Sequence, residues 1–113
     1  MRIDYSQKGN TTIITPHGDI RINQGDVALR DAVRSQLDEG KRQIVIDMAG
    51  VNFMDSAGLG EVVGCHKSVS EKGGEIKLAA LNPRINDLFT LTKLFLVFKI
   101  FDSVDEAVAS FTS

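Results

Sequence analysis

Three consecutive β-branched residues, Ile44-Val45-Ile46, lie between polar neighbours in the middle of the 113-residue chain. An uninterrupted apolar run of this kind is typical of a strand covered on both faces, because a half-exposed strand alternates apolar and polar side chains. Strands covered on both faces belong to sheets that have helices packed against them. Residues 43–47 therefore predict an α/β fold.

The segments on either side of this strand alternate between β-compatible and helical patterns. Residues 3–7 and 11–15 are β-compatible and are joined by the turn signal Lys8-Gly9-Asn10, which predicts a hairpin. The other predicted elements are helices over 23–39, from Asp55 or Ser56 to about Lys72, from Asn82-Pro83 onward and from Ser103 to 111, with strands over 75–79 and 98–101. We therefore expect one α/β domain over residues 1–113, a mixed β-sheet with about four helices packed against it.

Charge and cysteine content narrow the functions open to such a domain. The chain carries 13 basic and 15 acidic residues, so its net charge of −2 gives no basic surplus to attract a nucleic-acid backbone. Its longest apolar stretch, near residues 94–98, is far shorter than the roughly 20 residues that span a bilayer, and the N-terminus lacks a signal-peptide pattern. The single cysteine, Cys65, forms no internal disulfide. We expect a cytoplasmic protein with neither nucleic-acid nor membrane partners.

The histidines and the cysteine form no catalytic or metal-binding pattern. Cys65 and His66 fall in the predicted second helix and His17 at a strand end, without metal-ligand spacing. His66 lies about 15 Å along that helix from Ser56, which excludes a triad of Ser56, His66 and Asp55. We therefore predict no catalytic residue, no metal site and no cofactor, and expect Cys65 to be an inert thiol.

Residues 89–98 form an unusually apolar region near the C-terminus. Its large apolar residues are Phe89, Leu91, Leu94, Phe95, Leu96, Val97 and Phe98. We expect most of them to belong to the core, with part of the surplus available for a partner or for self-association.

Packing alone does not explain residues 47–60, where the buried strand ends, a short loop follows and a helix begins. Asp55 and Ser56 are expected at the helix N-terminus, where free N–H groups and the helix dipole favour an anion. A serine in this place is most often only a helix cap. Three glycines in the first half of the helix cost about 1 kcal/mol each relative to alanine, so they indicate close approach of the sheet or of a partner protein. They are Gly58, Gly60 and Gly64.

The Gly-x-Gly at the start of this helix also resembles a dinucleotide-binding fingerprint. Val63 stands where that pattern requires its third glycine, and Gly64 comes one residue late. No Gly-Lys-Ser/Thr of a phosphate-binding P-loop is present. Both nucleotide-binding motifs are therefore excluded.

The stretch Val51-Asn52-Phe53-Met54-Asp55-Ser56-Ala57-Gly58-Leu59-Gly60 resembles the signature loop of STAS domains in bacterial anti-sigma-factor antagonists. The resemblance extends over nearly the whole chain. It includes Gly18-Asp19-Ile20 after the early hairpin, the strand ending in Asp47, Leu81-Asn82-Pro83, and Phe101-Asp102-Ser103 before the last helix. It implies a single STAS-like domain.

The resemblance also implies a function. In this family the serine that matches Ser56 is phosphorylated by a partner that is both anti-sigma factor and ATP-dependent serine kinase, and a metal-dependent serine phosphatase removes the phosphate. Only the unphosphorylated form holds the anti-sigma factor. The implied partner-binding residues are Asp19, Arg21, Asp55, Ser56, Ala57, Gly58, Leu59 and Gly60. The protein is then a binding module rather than an enzyme, and we expect a monomer or weak dimer.

Two positions differ from the family pattern, and two other functions stay open. Ala57 stands where many relatives carry a second hydroxyl, and Arg21 stands where an acidic or hydroxyl residue is common. One alternative is a STAS subunit of a larger assembly, such as a stress-sensing scaffold or a lipid-transport complex. The other is an enzyme or nucleotide-binding protein that uses the helix start at Gly58 and Gly60.

Overall fold

The computed structural model describes residues 1–111, which form one mixed five-stranded sheet in the order β1-β2-β3-β4-β5 with helices on both faces. The strands are β1 (Arg2–Lys8), β2 (Thr11–His17), β3 (Gln43–Asp47), β4 (Glu75–Ala79) and β5 (Lys99–Phe101). The helices are α1 (Asp26–Asp38), α2 (Ser56–Glu71), α3 (Pro83–Leu91), a 3-10 helix (Leu94–Leu96) and α4 (Val104–Ser110). The predicted α/β class and the four α-helices are confirmed. Residues 112 and 113 of the predicted domain lie outside the described residues.

The sheet is antiparallel at one edge and parallel elsewhere. β1 and β2 form the predicted hairpin, and the remaining neighbours pair in parallel. Ile44 and Ile46 of β3 face a large apolar cluster that includes residues of α1, α2 and α3, whereas Val45 faces a smaller cluster that includes Ala107 of α4. The side chains of Ile44, Val45 and Ile46 are all fully buried. The prediction that this strand is covered on both faces is confirmed.

Helix α1 begins three residues later than the apolar spacing predicts, because a turn occupies residues 21–25. Arg21 and Gln24 exchange two backbone hydrogen bonds of 2.8 and 2.9 Å. Asn23 and Gly25 both have left-handed backbone conformations, with φ of 60° and 87°. The helix therefore cannot extend back to residue 23, and these residues form an ordered loop beside α2.

The prediction that most of the apolar residues from Phe89 to Phe98 are buried is wrong. Phe89 and Phe98 are buried, but Leu91 is 82% exposed and Leu96 is 73% exposed. Phe95 and Val97 are exposed as well. Lys93 has a left-handed backbone, with φ of 60°, and the 3-10 helix that follows it contributes only the half-buried Leu94 to the core. The chain thus turns outward, and the surplus is at the surface.

A lysine in the middle of β4 is buried, which the sequence pattern does not reveal. The side chain of Lys77 is 3% exposed beneath α4, with its ammonium nitrogen 3.8 Å from the centroid of the Phe111 ring. Its Nζ donates a hydrogen bond to the hydroxyl of Ser110 and lies 3.9 Å from the Glu75 carboxylate. Burial lowers the pKa of this amine. The face of the sheet that α4 covers therefore packs around a buried polar group.

Candidate functional site

The loop between β3 and α2 is fixed at several points, so it presents the start of α2 in a defined position. Val51 and Met54 are buried in the larger apolar cluster and anchor the loop from below. The side-chain amide of Asn82 donates hydrogen bonds of 3.1 and 3.3 Å to the carbonyl oxygens of Val51 and Asn52. Asn82 also caps α3, as predicted, by accepting from the backbone N–H of Ile85. One asparagine thus holds the loop and begins the next helix.

Asp55 is the N-cap of α2, so the hydroxyl of Ser56 is not needed for capping. One carboxylate oxygen of Asp55 accepts from the backbone N–H of Gly58 at 2.8 Å, and the other accepts from the N–H of Ile22 at 3.0 Å. The hydrogen bonds from Gly58 and Ile22 lower the pKa of Asp55, and the nearby charge of Arg21 adds to the effect. The carboxylate is therefore ionised at neutral pH and joins the loop of residues 18–25 (the 18–25 loop) to α2.

Ser56 is the first residue of α2, and its side chain is exposed. Its hydroxyl makes no hydrogen bond with any other group in the described chain. The alternative in which Ser56 is the helix cap is wrong, because Asp55 fills that role. The hydroxyl is accessible to another protein at the end of the helix that favours negative charge.

Gly58 is required by the contact between α2 and the 18–25 loop. A Cβ atom at this position would overlap the carbonyl oxygen of Ile20. Ile20 is held in place because its N–H donates to the carbonyl oxygen of Phe53 at 3.0 Å. Cβ atoms at Gly60 and Gly64 would meet no atom within 4 Å. Close approach within the described chain therefore explains Gly58. Gly60 and Gly64 lie on an open face of the helix, where no such contact requires a glycine.

Arg21 lies over the same loop with its guanidinium held from two sides. Its Nη2 donates to the carboxylate of Asp19 at 2.7 Å, and the guanidinium carbon lies 4.6 Å from the centroid of the Phe53 ring. Such stacking of a cation on an aromatic face is favourable. The role of Phe53 as the platform for Arg21 could not be derived from sequence spacing.

The fold brings together the predicted site residues but divides them into exposed and buried sets. The 18–25 loop supplies Asp19 and Arg21, and the start of α2 supplies the others. The residues with at least partly accessible side chains or backbone are Asp19, Arg21, Asp55, Ser56, Ala57 and Gly60. Gly58 and Leu59 are buried. Only the six accessible residues of the predicted partner-binding set are therefore exposed to a partner in this structure. Ile22, which is strongly exposed next to Asp55, was missed by sequence reasoning.

The other potentially reactive side chains of α2 are buried, packed against a ring or paired within the fold. Cys65 is buried, which raises the pKa of its thiol to about 12 and agrees with the predicted inert role. The ring of His66 packs against Phe98 at 5.1 Å between centroids. Glu61 binds Arg30 of α1 through two hydrogen bonds of 2.9 Å, which ties the two helices together. Within residues 1–111 there is no cluster of three or more side chains suited to a metal ion.

Comparison with known proteins identifies the family to which this site belongs. Residues 2–107 match the family model of the STAS domain. The chain belongs to the STAS domain family. It is 33% identical to the anti-sigma-B factor antagonist of Bacillus subtilis over 83% of this chain and 84% of that protein. The family resemblance predicted from the signature loop is therefore confirmed.

Solved structures agree with this assignment. A candidate anti-sigma factor antagonist from Thermotoga maritima superposes with a TM-score of 0.90 at 26% identity, covering 98% of this chain and 95% of that one. SpoIIAA, an anti-sigma factor antagonist, shares the fold at 18% identity in its unphosphorylated form and 19% in its phosphorylated form, with TM-scores of 0.72 and 0.73. The two SpoIIAA forms cover 98% and 97% of this chain and 97% and 99% of their own. The chain thus groups with STAS-domain anti-sigma-factor antagonists, which are regulatory binding proteins and not enzymes. No helix within residues 1–111 is long and apolar enough to cross a membrane.

Replacing Gly58 and Gly60 by alanine should show which of the two positions is closely packed. Gly58→Ala should lower the free energy of unfolding by at least about 2 kcal/mol, because the new methyl group meets the Ile20 backbone. Gly60→Ala should leave it unchanged or raise it by up to about 1 kcal/mol, since only helix propensity changes. Urea unfolding followed by circular dichroism measures both. Equal effects of the two substitutions would contradict the contact with Ile20.

Neutralising Asp55 should change how stability depends on pH. A carboxyl whose pKa is lower in the folded state stabilises the protein above its unfolded pKa, and this contribution is lost as pH falls through the folded value. The native chain should therefore be more stable than Asp55→Asn at pH 7, and the difference should shrink below about pH 4. Urea midpoints at both pH values test this, with the exposed Asp102→Asn as a control for losing one carboxylate. A difference that persists unchanged at pH 3 would contradict the role of the ionised cap.

Proposed function

We propose that this chain binds an anti-sigma factor that is also a serine kinase, and that phosphorylation of Ser56 by this partner switches the binding off. The observation that carries the proposal is the exposed Ser56 hydroxyl at the first position of α2, left unbonded because Asp55 caps the helix. A capping hydroxyl would be occupied, whereas this one is available to a kinase. In the unphosphorylated state the chain sequesters the anti-sigma factor and the sigma factor is free.

The chemistry is a phosphoryl transfer from ATP. The Ser56 Oγ gives its proton to a base of the kinase and forms a bond to the γ-phosphorus, while the bond from that phosphorus to the bridging oxygen breaks and ADP leaves. The product carries about −1.5 to −2 additional charge and three acceptor oxygens. A metal-dependent serine phosphatase would reverse the modification by hydrolysis and restore the binding form. The chain itself supplies only the acceptor hydroxyl.

The added charge should act on the binding surface and not on the fold. The N-terminus of a helix stabilises a nearby anion. The ionised Asp55 beside it adds like-charge repulsion, so a partner that covers this surface would have to bury two neighbouring negative groups. Losing about 2 to 3 kcal/mol of binding free energy in this way lowers affinity by roughly 30-fold to 150-fold. The nearly equal likeness of the chain to both SpoIIAA forms supports a modification that leaves the fold intact.

Phosphorylation of the purified chain tests the site. Incubation with the cognate kinase and ATP should add one phosphate by intact-mass spectrometry, and Ser56→Ala should abolish the addition. Ser68→Ala is the matched control, since Ser68 is an exposed serine on the same helix. Ser56→Glu should weaken anti-sigma-factor binding in calorimetry while the circular dichroism spectrum stays native. Equal modification of Ser56→Ala and the native chain would show that the site is wrong.

A second candidate is a STAS subunit of a larger assembly, and the exposed apolar segment favours it. Leu91, Phe95, Leu96 and Val97 are accessible together at the end of α3 and the following 3-10 helix, where a permanent neighbour could cover them. Light scattering of the purified chain separates the two candidates. An isolated antagonist should have the mass of one or two chains at micromolar concentration, whereas a scaffold subunit should form larger species.

A further inference from the structure

Arg21 is the basic side chain placed to act on a charge at the start of α2. The first eleven residues of that helix, from Ser56 to His66, contain no lysine or arginine. The 18–25 loop reaches the helix instead, because Ile22 donates its N–H to the Asp55 carboxylate at 3.0 Å. Arg21 precedes Ile22 and Ser56 follows Asp55, so the two residues are the chain neighbours of the pair that this hydrogen bond joins. The charge of Arg21 is already felt by the Asp55 carboxyl.

The guanidinium of Arg21 has unused hydrogen-bonding capacity. It bonds to Asp19 through one nitrogen, and its Nε is buried without a partner among the described residues. A buried unsatisfied donor is costly and calls for an explanation. The side chain as a whole is 41% exposed, so an acceptor that arrives at this surface can compete with Asp19 for the guanidinium. An acceptor arriving nearby would relieve the unpaired donor.

Two other arginines of the described chain, Arg30 and Arg84, provide comparisons with Arg21. Arg30 donates from Nε and Nη2 to the two carboxylate oxygens of Glu61 and is therefore already paired. Asp19 and Asp55 are acceptors and repel a second anion. Arg84, on the exposed side of α3, shares a groove with Phe53 and Met54 and provides a comparison of equal charge.

We propose that Arg21 binds the phosphate group on Ser56, exchanging its hydrogen bond to Asp19 for bonds to the phosphate oxygens. The proposal rests on phosphorylation of Ser56 as the proposed function. Arginine suits this role because its planar fork of N–H donors matches the geometry of a phosphate. The ion pair tempers the repulsion between the phosphate and Asp55. It also withdraws the guanidinium from the partner surface, so one modification changes the charge at two positions of that surface.

Titration of the phosphate itself tests the proposal. Phosphoserine is incorporated at position 56 during synthesis of the full chain, so that no kinase is needed, and the second ionisation is followed by phosphorus NMR at low ionic strength. A neighbouring cation favours the dianion and lowers its pKa. The native chain should therefore titrate about 0.5 to 1 pH unit below Arg21→Gln. Arg84→Gln is the matched control and should titrate like the native chain.

Arg21→Lys separates the charge from the fork of donors. It keeps the positive charge but loses the paired N–H geometry, so its phosphate should titrate between the native chain and Arg21→Gln. The unfolding midpoints of the unphosphorylated variants confirm that each one folds. Identical phosphate pKa values in the native chain and Arg21→Gln, or an equal shift in Arg84→Gln, would overturn the proposal. Failure of the kinase to modify Ser56 would refute the proposed function instead, because this titration does not depend on the kinase.

Discussion

The carboxylate of Asp55 is the interaction on which the site depends. It accepts one N–H from the first turn of α2 and one from the 18–25 loop, so the same group caps the helix and sets the position of the facing loop. Both oxygens are used, and the hydrogen bonds keep the group ionised. Because the cap is provided by its neighbour, Ser56 can stand at the helix start without a structural duty. This division of roles leaves the hydroxyl free for the proposed phosphorylation.

Much of the fold could be predicted from local signals. The predicted bounds of β3 and β4 match the structure, and α2 and α3 begin where Asp55 and Asn82 predicted, because caps and continuous apolar runs act within a few residues. The failures have non-local causes. Helix α1 starts late because of a turn that packs on α2, and Lys77 is buried because α4, far along the chain, covers it. Neither contact has a signature in its own segment.

The site was predictable in its residue types but not in its contacts. The signature loop identified Asp55 and Ser56 together, yet only the structure assigns the capping bond to Asp55. Sequence spacing likewise could not distinguish Gly58 from Gly60, since both are glycines of one helix. A Cβ atom at position 58 would overlap the Ile20 carbonyl oxygen, whereas one at position 60 would meet no atom within 4 Å. The stacking of Arg21 on Phe53 joins residues 32 positions apart on two loops. Such pairings depend on how the two loops dock, which periodicity does not encode.

The open glycines of α2 connect the stability of the fold to its task. Gly60 and Gly64 each cost helix stability of about 1 kcal/mol, and no contact within the described chain repays that cost. A helix face without Cβ atoms lets another backbone approach closely, and Gly60 lies one turn beyond Ser56. Proteins commonly retain such local losses of stability where function requires them. The same face therefore combines the hydroxyl that we propose to be phosphorylated with a surface shaped for close contact, which suits a binding site that modification would close.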